Sequence, residues 1–263
     1  MQAELEVHEV SELRLLAERG ELPERLEPCG LLAAVHLACS AWVWRRDSAP
    51  AFLVFQRWLS DPTLAAAWNA LTSRRTAGVD YSAKPLEVLT ITDTVAEAQF
   101  ANRFRKSLED LGAFSQAEAR GLAGSLQELI DNVRQHSGPS VDAPAAGIMA
   151  YEVSKQSFVY AVGDVGRGTL ASLRENPAWA QLPDEAAALA AIMNRNASRR
   201  LDNTPGTGFR DAVRALSDFG QLSVGSGDAY LDVVGAPTGR TGAGGHRFAL
   251  AGVQVGVFGR RQP

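Results

Sequence analysis

Apolar residues dominate from Gly30 to Trp44 and again from Ala51 to Leu71, with the polar break Arg45-Arg46-Asp47-Ser48 between them. Both stretches lean towards helix, although the spacing of Leu53, Phe55 and Trp58 fits strand or helix equally well. Residues 74–84 lose this periodicity and gain turn formers, which predicts a linker. The rhythm then sharpens. Leu86 to Thr92 alternates and is rich in β-branched residues, which predicts a strand. Val95, Ala98, Phe100, Phe104 and Leu108 recur at helical spacing within Thr94 to Leu111.

Ser115-Gln116-Ala117-Glu118 has the form of a capping box, in which the Ser and Glu side chains satisfy backbone N–H groups at a helix start. The helix it opens is expected to run to about His136, where Ser137-Gly138-Pro139 stops it. Gly147 to Val153 and Phe158 to Val165 read as an antiparallel pair joined at 154–157. A polar, Ala-rich region follows, then a Gly-rich turn at 205–208 and a helix over 209–219. Four short strands are expected in the tail, at 221–224, 230–234, 247–250 and 253–258, the first two joined by a Gly-Ser-Gly-Asp turn. The fold class is therefore α/β in the broad sense, α+β in detail, with two domains expected: a small α/β unit over 1–80 and a larger one over 85–263.

The chain has 263 residues, 46% hydrophobic and 21% charged, enough apolar material for a substantial core. A net charge of −4 argues against a uniformly basic nucleic-acid binder. Two cysteines, Cys29 and Cys39, form neither a disulfide framework nor a zinc motif, which fits a reducing, cytoplasmic setting. The Glu-rich opening is unlike a signal peptide. The apolar run from Cys29 to Trp44 is interrupted by His36 and Ser40 and falls short of the ~20 apolar residues of a membrane span. If residues 30–71 present an apolar face, that face favours association, for example as a homodimer.

Three short motifs carry candidate chemistry. Glu128, Asn132 and His136 stand at i, i+4 and i+8, so they form one polar ridge on a helix whose apolar side is Leu126, Leu129, Ile130 and Val133. A solvated stripe with ordinary i,i+4 pairing has the same pattern. Asp164-Val165-Gly166-Arg167-Gly168 follows a strand, so the carboxylate can accept from an amine while two glycines let backbone come close. Gly206-Thr207-Gly208 opens a helix and offers unhindered amides to a phosphate. Each alone also fits an ordinary loop or turn. The chain has no Gly-Lys-Ser/Thr and no Gly-x-Gly-x-x-Gly, which removes a Walker loop and leaves a Rossmann site unsupported.

In order and spacing, these three motifs resemble the GHKL superfamily of ATP-binding domains, the Bergerat fold, over roughly residues 86–263. Anti-sigma serine kinases are the most similar type. The resemblance implies a mixed, mostly antiparallel α/β sandwich that binds ATP and Mg²⁺. Asn132 would hold the metal ion and His136 would stand near the phosphates. Asp164 would bind the adenine amine, with Gly166 and Gly168 under the base and ribose. Gly206, Thr207 and Gly208 would wrap the phosphates, and about 169–205 would form a mobile ATP lid. Glu128 would be the base, so the acceptor would be water or a protein hydroxyl. A nucleotide-switched interaction module without turnover is the alternative, because no Thr stands in Gly252-Val253-Gln254-Val255 where many members have one. ATP or ADP and a regulatory protein are the implied partners. Pro28-Cys29-Gly30-Leu31-Leu32-Ala33-Ala34-Val35 resembles the helix-opening turn of STAS-type domains, with Cys29 at the phosphoacceptor position, which implies a docking or sensing module. An unrelated small α/β domain fits the same residues.

Overall fold

The computed structural model describes residues 30–47, 50–73, 77–81, 84–91, 94–112, 114–136, 147–195, 197, 213–216, 220–234 and 240–260. Three helices come first: α1 Leu31–Arg46, α2 Pro50–Trp58 and α3 Pro62–Ser73. Next are β1 Ala77–Tyr81, β2 Lys84–Thr90, α4 Thr94–Asp110 and α5 Gln116–His136. The central strands are β3 Gly147–Val153 and β4 Ser157–Asp164. They are followed by α6 Gly168–Leu173, a 3-10 turn at Pro177–Trp179, α7 Glu185–Arg195, β5 Gly220–Val234 and β6 Arg240–Arg260.

The strands form one six-stranded sheet in the order β1-β2-β3-β4-β6-β5, and every pairing among the described residues is antiparallel. The centre of this sheet is buried on both faces. Ile148, Ala150, Ala161 and Val165 point to one face, where they share a core with α1, α2 and α3. Met149, Tyr151, Val153, Phe158, Tyr160 and Val162 point to the other, against α4 and α5. A sheet covered on both sides has no polar face, and so β3 and β4 read as near-continuous apolar runs.

α1 is apolar nearly all round, as a helix must be when it lies between the sheet and a further helical layer. Its seat is made by glycines. A Cβ on Gly256 would stand 2.3 Å from Leu32 Cδ1, and one on Gly163 would stand 2.9 Å from Val35 Cγ1 and 3.0 Å from Cys39 Sγ. Trp42 of α1 interlocks with the rings of Phe52, Phe55 and Trp68 from α2 and α3, with Phe55 and Trp68 edge-on at 5.1 Å between centroids. On the opposite face, the capping box at the start of α5 forms as expected. Ser115 Oγ accepts from Glu118 N at 3.3 Å, and Glu118 Oε2 accepts from Ser115 N at 2.7 Å. Such a cap contributes about 1 kcal/mol.

Several expectations need correction. The linker at 74–84 contains strand β1, which pairs with β2 as a hairpin, so the expected boundary between 80 and 85 falls inside that hairpin. The N-terminal stretch over 31–73 is helical and packs directly on the sheet. The four tail strands are two long ones, β5 and β6. Residues 225–228 are no turn: the strand continues through them with register irregularities around Gly227, a positive-φ glycine that lets the ladder slip without breaking. A helical turn at 213–216 lies within the helix expected over 209–219, while Cys29 lies outside the described residues.

The glycine seat generates a test. Gly163→Ala puts a methyl 2.4 Å from Gln254 Oε1 and against Val35 and Cys39 in a filled layer. Overpacking of this kind costs about 1–3 kcal/mol. The urea midpoint of the variant is expected to fall accordingly, and an unchanged midpoint would contradict the close seating of α1.

Candidate functional site

β4 ends at Asp164, and the neighbouring elements converge on that end of the sheet. Asp164 pairs in register with Gly147, the first residue of β3. Ile91, just past β2, donates its N–H to the Gly147 carbonyl at 2.8 Å. The α5 helix closes on the same point, because a Cβ on Gly147 would meet Val133 Cγ1 at 2.9 Å. Alternation along β4 puts Asp164 on the α4–α5 face with Tyr160 and Val162. Asn132, half-buried, immediately precedes Val133 on α5. The amide and the carboxylate are thus brought to one end and one face of the sheet.

The Asp164 side chain is almost wholly buried, at 3% exposure. It is held by backbone. Oδ1 accepts from Gly166 N at 2.7 Å, and Oδ2 accepts from Val253 N on β6 at 3.1 Å. The Asp164 carbonyl accepts from the Gln254 side-chain amide at 3.0 Å. Gly252, at φ +61°, makes this approach possible, since a Cβ there would lie 2.1 Å from Asp164 Oδ1. Burial pushes the carboxyl up to about 7, against the pull of the Gly166 and Val253 amides. Under the same strand end, Cys39 is buried and its thiol is pushed up to about 12, again by burial first.

An ion pair with one buried partner anchors α5. The exposed Arg134, on its last turns, pairs with Glu97 in the first turn of α4, and Glu97 has no exposure at all. Removing the arginine would leave the Glu97 charge buried and uncompensated. Asn132 therefore sits on a segment that is fixed at its end. Glu128 is exposed, one helical turn before Asn132.

Asp164, Gly166 and Gly168 occupy one turn between β4 and α6, with Gly168 at φ +79°. His136 is the last residue of α5, and its side chain lies outside the described residues, as do Gly206, Thr207 and Gly208. Of the expected lid at 169–205, residues 169–195 include α6, the 3-10 turn and α7. The contacts of Gly147, Val253 and Gln254 with Asp164 were not foreseen from the sequence. One signal was present: a glutamine at an inward position of an otherwise apolar strand needs a buried partner.

No known protein family, no curated protein and no solved structure matches the chain.

The state of Asp164 has a measurable consequence. The unfolded carboxyl titrates near 4, so between roughly pH 4 and 7 the native chain keeps a proton that the unfolded chain has lost. Stability should therefore fall as pH rises through that window, by up to ~1.4 kcal/mol per pH unit from this group, and level off above it. Urea unfolding at pH 5 and pH 8 checks this: the wild-type loss of stability should shrink in Asp164→Asn, and equal losses in the two proteins would contradict it.

Proposed function

We propose that the chain is an ATP- and Mg²⁺-binding regulatory protein of the GHKL kind, which passes the γ-phosphoryl group to water or to a protein hydroxyl. The observation that carries this reading is the convergence of Asn132 and the Asp164-Val165-Gly166-Arg167-Gly168 turn at one end and one face of an antiparallel sheet. Asp164 is the base-recognising group. Each carboxylate oxygen has two lone pairs, so after accepting from Gly166 and Val253 it retains capacity for an exocyclic amine. Its fixed position, with backbone on both sides, favours a planar donor over a flexible one. Gly166 leaves the base room against the main chain, and Gly168 is the proposed ribose-side glycine, with Glu185 and Ser226 filling the space beside its Cα.

Asn132 fits a magnesium ion as a single hard oxygen donor, the usual protein share when phosphates supply most of the other ligands. When bound, the ion neutralises phosphate charge and aligns the terminal phosphoryl group. Glu128 is an accessible carboxylate on the same ridge, and its role is to take the proton from the attacking water or hydroxyl as the bond from the γ-phosphorus to ADP breaks. Gly206, Thr207 and Gly208 are the proposed phosphate wrap, and His136 the neighbouring polar group.

A specific observation favours the second reading, a nucleotide-switched binding module without turnover. The three lysines are remote from Asp164. Lys155 stands in the β3–β4 turn and Lys84 at the start of β2, both at the opposite end of the sheet, and Lys106 is exposed on the later half of α4. The arginines at the Asp164 end are committed, Arg134 to Glu97 and Arg167 to Glu175. A free cation for the γ-phosphate would then have to come from the segments outside the described residues or from a partner.

Calorimetry with an ATP analogue and Mg²⁺ tests the common part. Binding is expected in the wild type, and Asp164→Asn should weaken it at least tenfold, as loss of a charge-assisted hydrogen bond worth about 1.5–3 kcal/mol requires. No binding by the wild type at millimolar nucleotide would end both readings. Radiolabelled ATP separates them: Glu128→Ala is expected to keep affinity and abolish phosphate release or transfer, and turnover retained in that variant would remove Glu128 from the mechanism.

A further inference from the structure

Two adjacent acids open α7, and they do different work. Asp184 caps its own helix, its Oδ1 accepting from Ala187 N at 2.8 Å. Glu185 reaches across to a different element. Its Oε2 accepts from Leu170 N in α6 at 3.0 Å and from Ser226 Oγ on β5 at 3.0 Å. Ser226 Oγ in turn accepts from Thr169 N at 2.8 Å. One carboxylate oxygen thus ties α7, α6 and β5 together.

The backbone is shaped around this carboxylate. Gly168 and Gly227 both have positive φ, at +79° and +54°. A Cβ on Gly227 would lie 2.5 Å from Glu185 Cγ, and one on Gly168 would lie 3.1 Å from its Oε1. The register irregularities of β5 begin between Ser226 and Gly227, beside the residue that meets the carboxylate.

The segment so tied has its own small core. Leu173, Ala188, Ala191 and Ala197 pack together, with Leu170 and Trp179 against them, apart from the two main cores. The Arg174 guanidinium closes the loop between α6 and α7 by donating to the carbonyls of Leu182 and Pro183. The fully buried link to the main core is Leu189, with Met193 packed beside it. Residues 168–195 therefore carry a small core of their own, while α6 and α7 also pack on β5 and β6.

We propose that Glu185 is a carboxylate latch that holds the start of α6 against β5, and that its release frees the Thr169 and Leu170 amides from β5. The effect on nucleotide exchange rests on the reading above, because the segment begins at Gly168 of the Asp164 turn. The latch itself needs no nucleotide. The charged groups facing Glu185 are Asp228 of β5, which opposes its ionisation, and Arg174 beyond α6, which favours it. Burial is the largest influence and raises the carboxyl from its ordinary value. The closed state thus holds the proton more tightly than the open one, so acidification favours closure and rising pH favours release.

Hydrogen exchange in nucleotide-free protein, corrected for intrinsic rates, reads the latch directly. Glu185→Ala is expected to lower protection of the Thr169 and Leu170 amides at least tenfold, with Tyr160 in β4 unchanged within twofold. Glu185→Gln keeps an oxygen that can accept both bonds, so protection should be retained, while the rise in protection that acidification brings in the wild type should shrink. Protection in Glu185→Ala within twofold of wild type, or an equal loss at Tyr160, would overturn the proposal. Because no nucleotide enters the measurement, its failure is distinguishable from failure of the nucleotide site.

Discussion

The arrangement depends on one constraint: the centre of the sheet is covered on both faces, and a carboxylate stands at the end of one of its central strands. With Ile148 and Ala161 under one helical layer and Met149 and Tyr160 under another, β3 and β4 are buried over most of their length. Asp164 ends that strand and must find its hydrogen bonds in the protein. The Gly166 turn and the Val253 amide of β6 supply them. Gly252 is needed because no side chain fits between that part of β6 and the carboxyl. The bend after β4, the positive φ on β6 and the raised proton affinity all follow from this one buried charge.

The helical layer over 31–73 takes part in the same constraint. Val35 and Cys39 fill the space above Gly163, one residue before the carboxylate, and Gln254 links β6 to the Asp164 carbonyl from that side. Whatever docks on or displaces these helices acts on the layer directly beneath the candidate site. On the other face, the Glu97–Arg134 pair fixes the end of α5. The site is clamped from above and below, while the segment after it packs on β5 and β6 and is tied to β5 by the Glu185 carboxylate.

The sequence was informative where the determinants are local. The capping box marked the start of α5, and the apolar run over 147–153 matched the bounds of β3. The position of Asp164 at a strand end could also be read locally. It was uninformative where tertiary packing decides. Residues 51–71 are helical because α2 and α3 stack aromatic rings on α1, which the spacing of Leu53, Phe55 and Trp58 does not reveal. Turn formers over 77–81 became strand because β2 was available to pair with them. Glycines at 225 and 227, which suggested a turn, are accommodated as irregularities in a long ladder. The partners of Asp164 on β6 lie 89 and 90 residues downstream, beyond the reach of any local pattern.

That separation bears on how the molecule assembles. Contacts between residues so far apart require a large loop to close first, so they belong to the slow, late part of folding. During synthesis the acidic group waits in solvent until β6 emerges to receive it. The buried carboxylate niche therefore depends on β6: a nascent or clipped molecule that lacks this strand cannot form it.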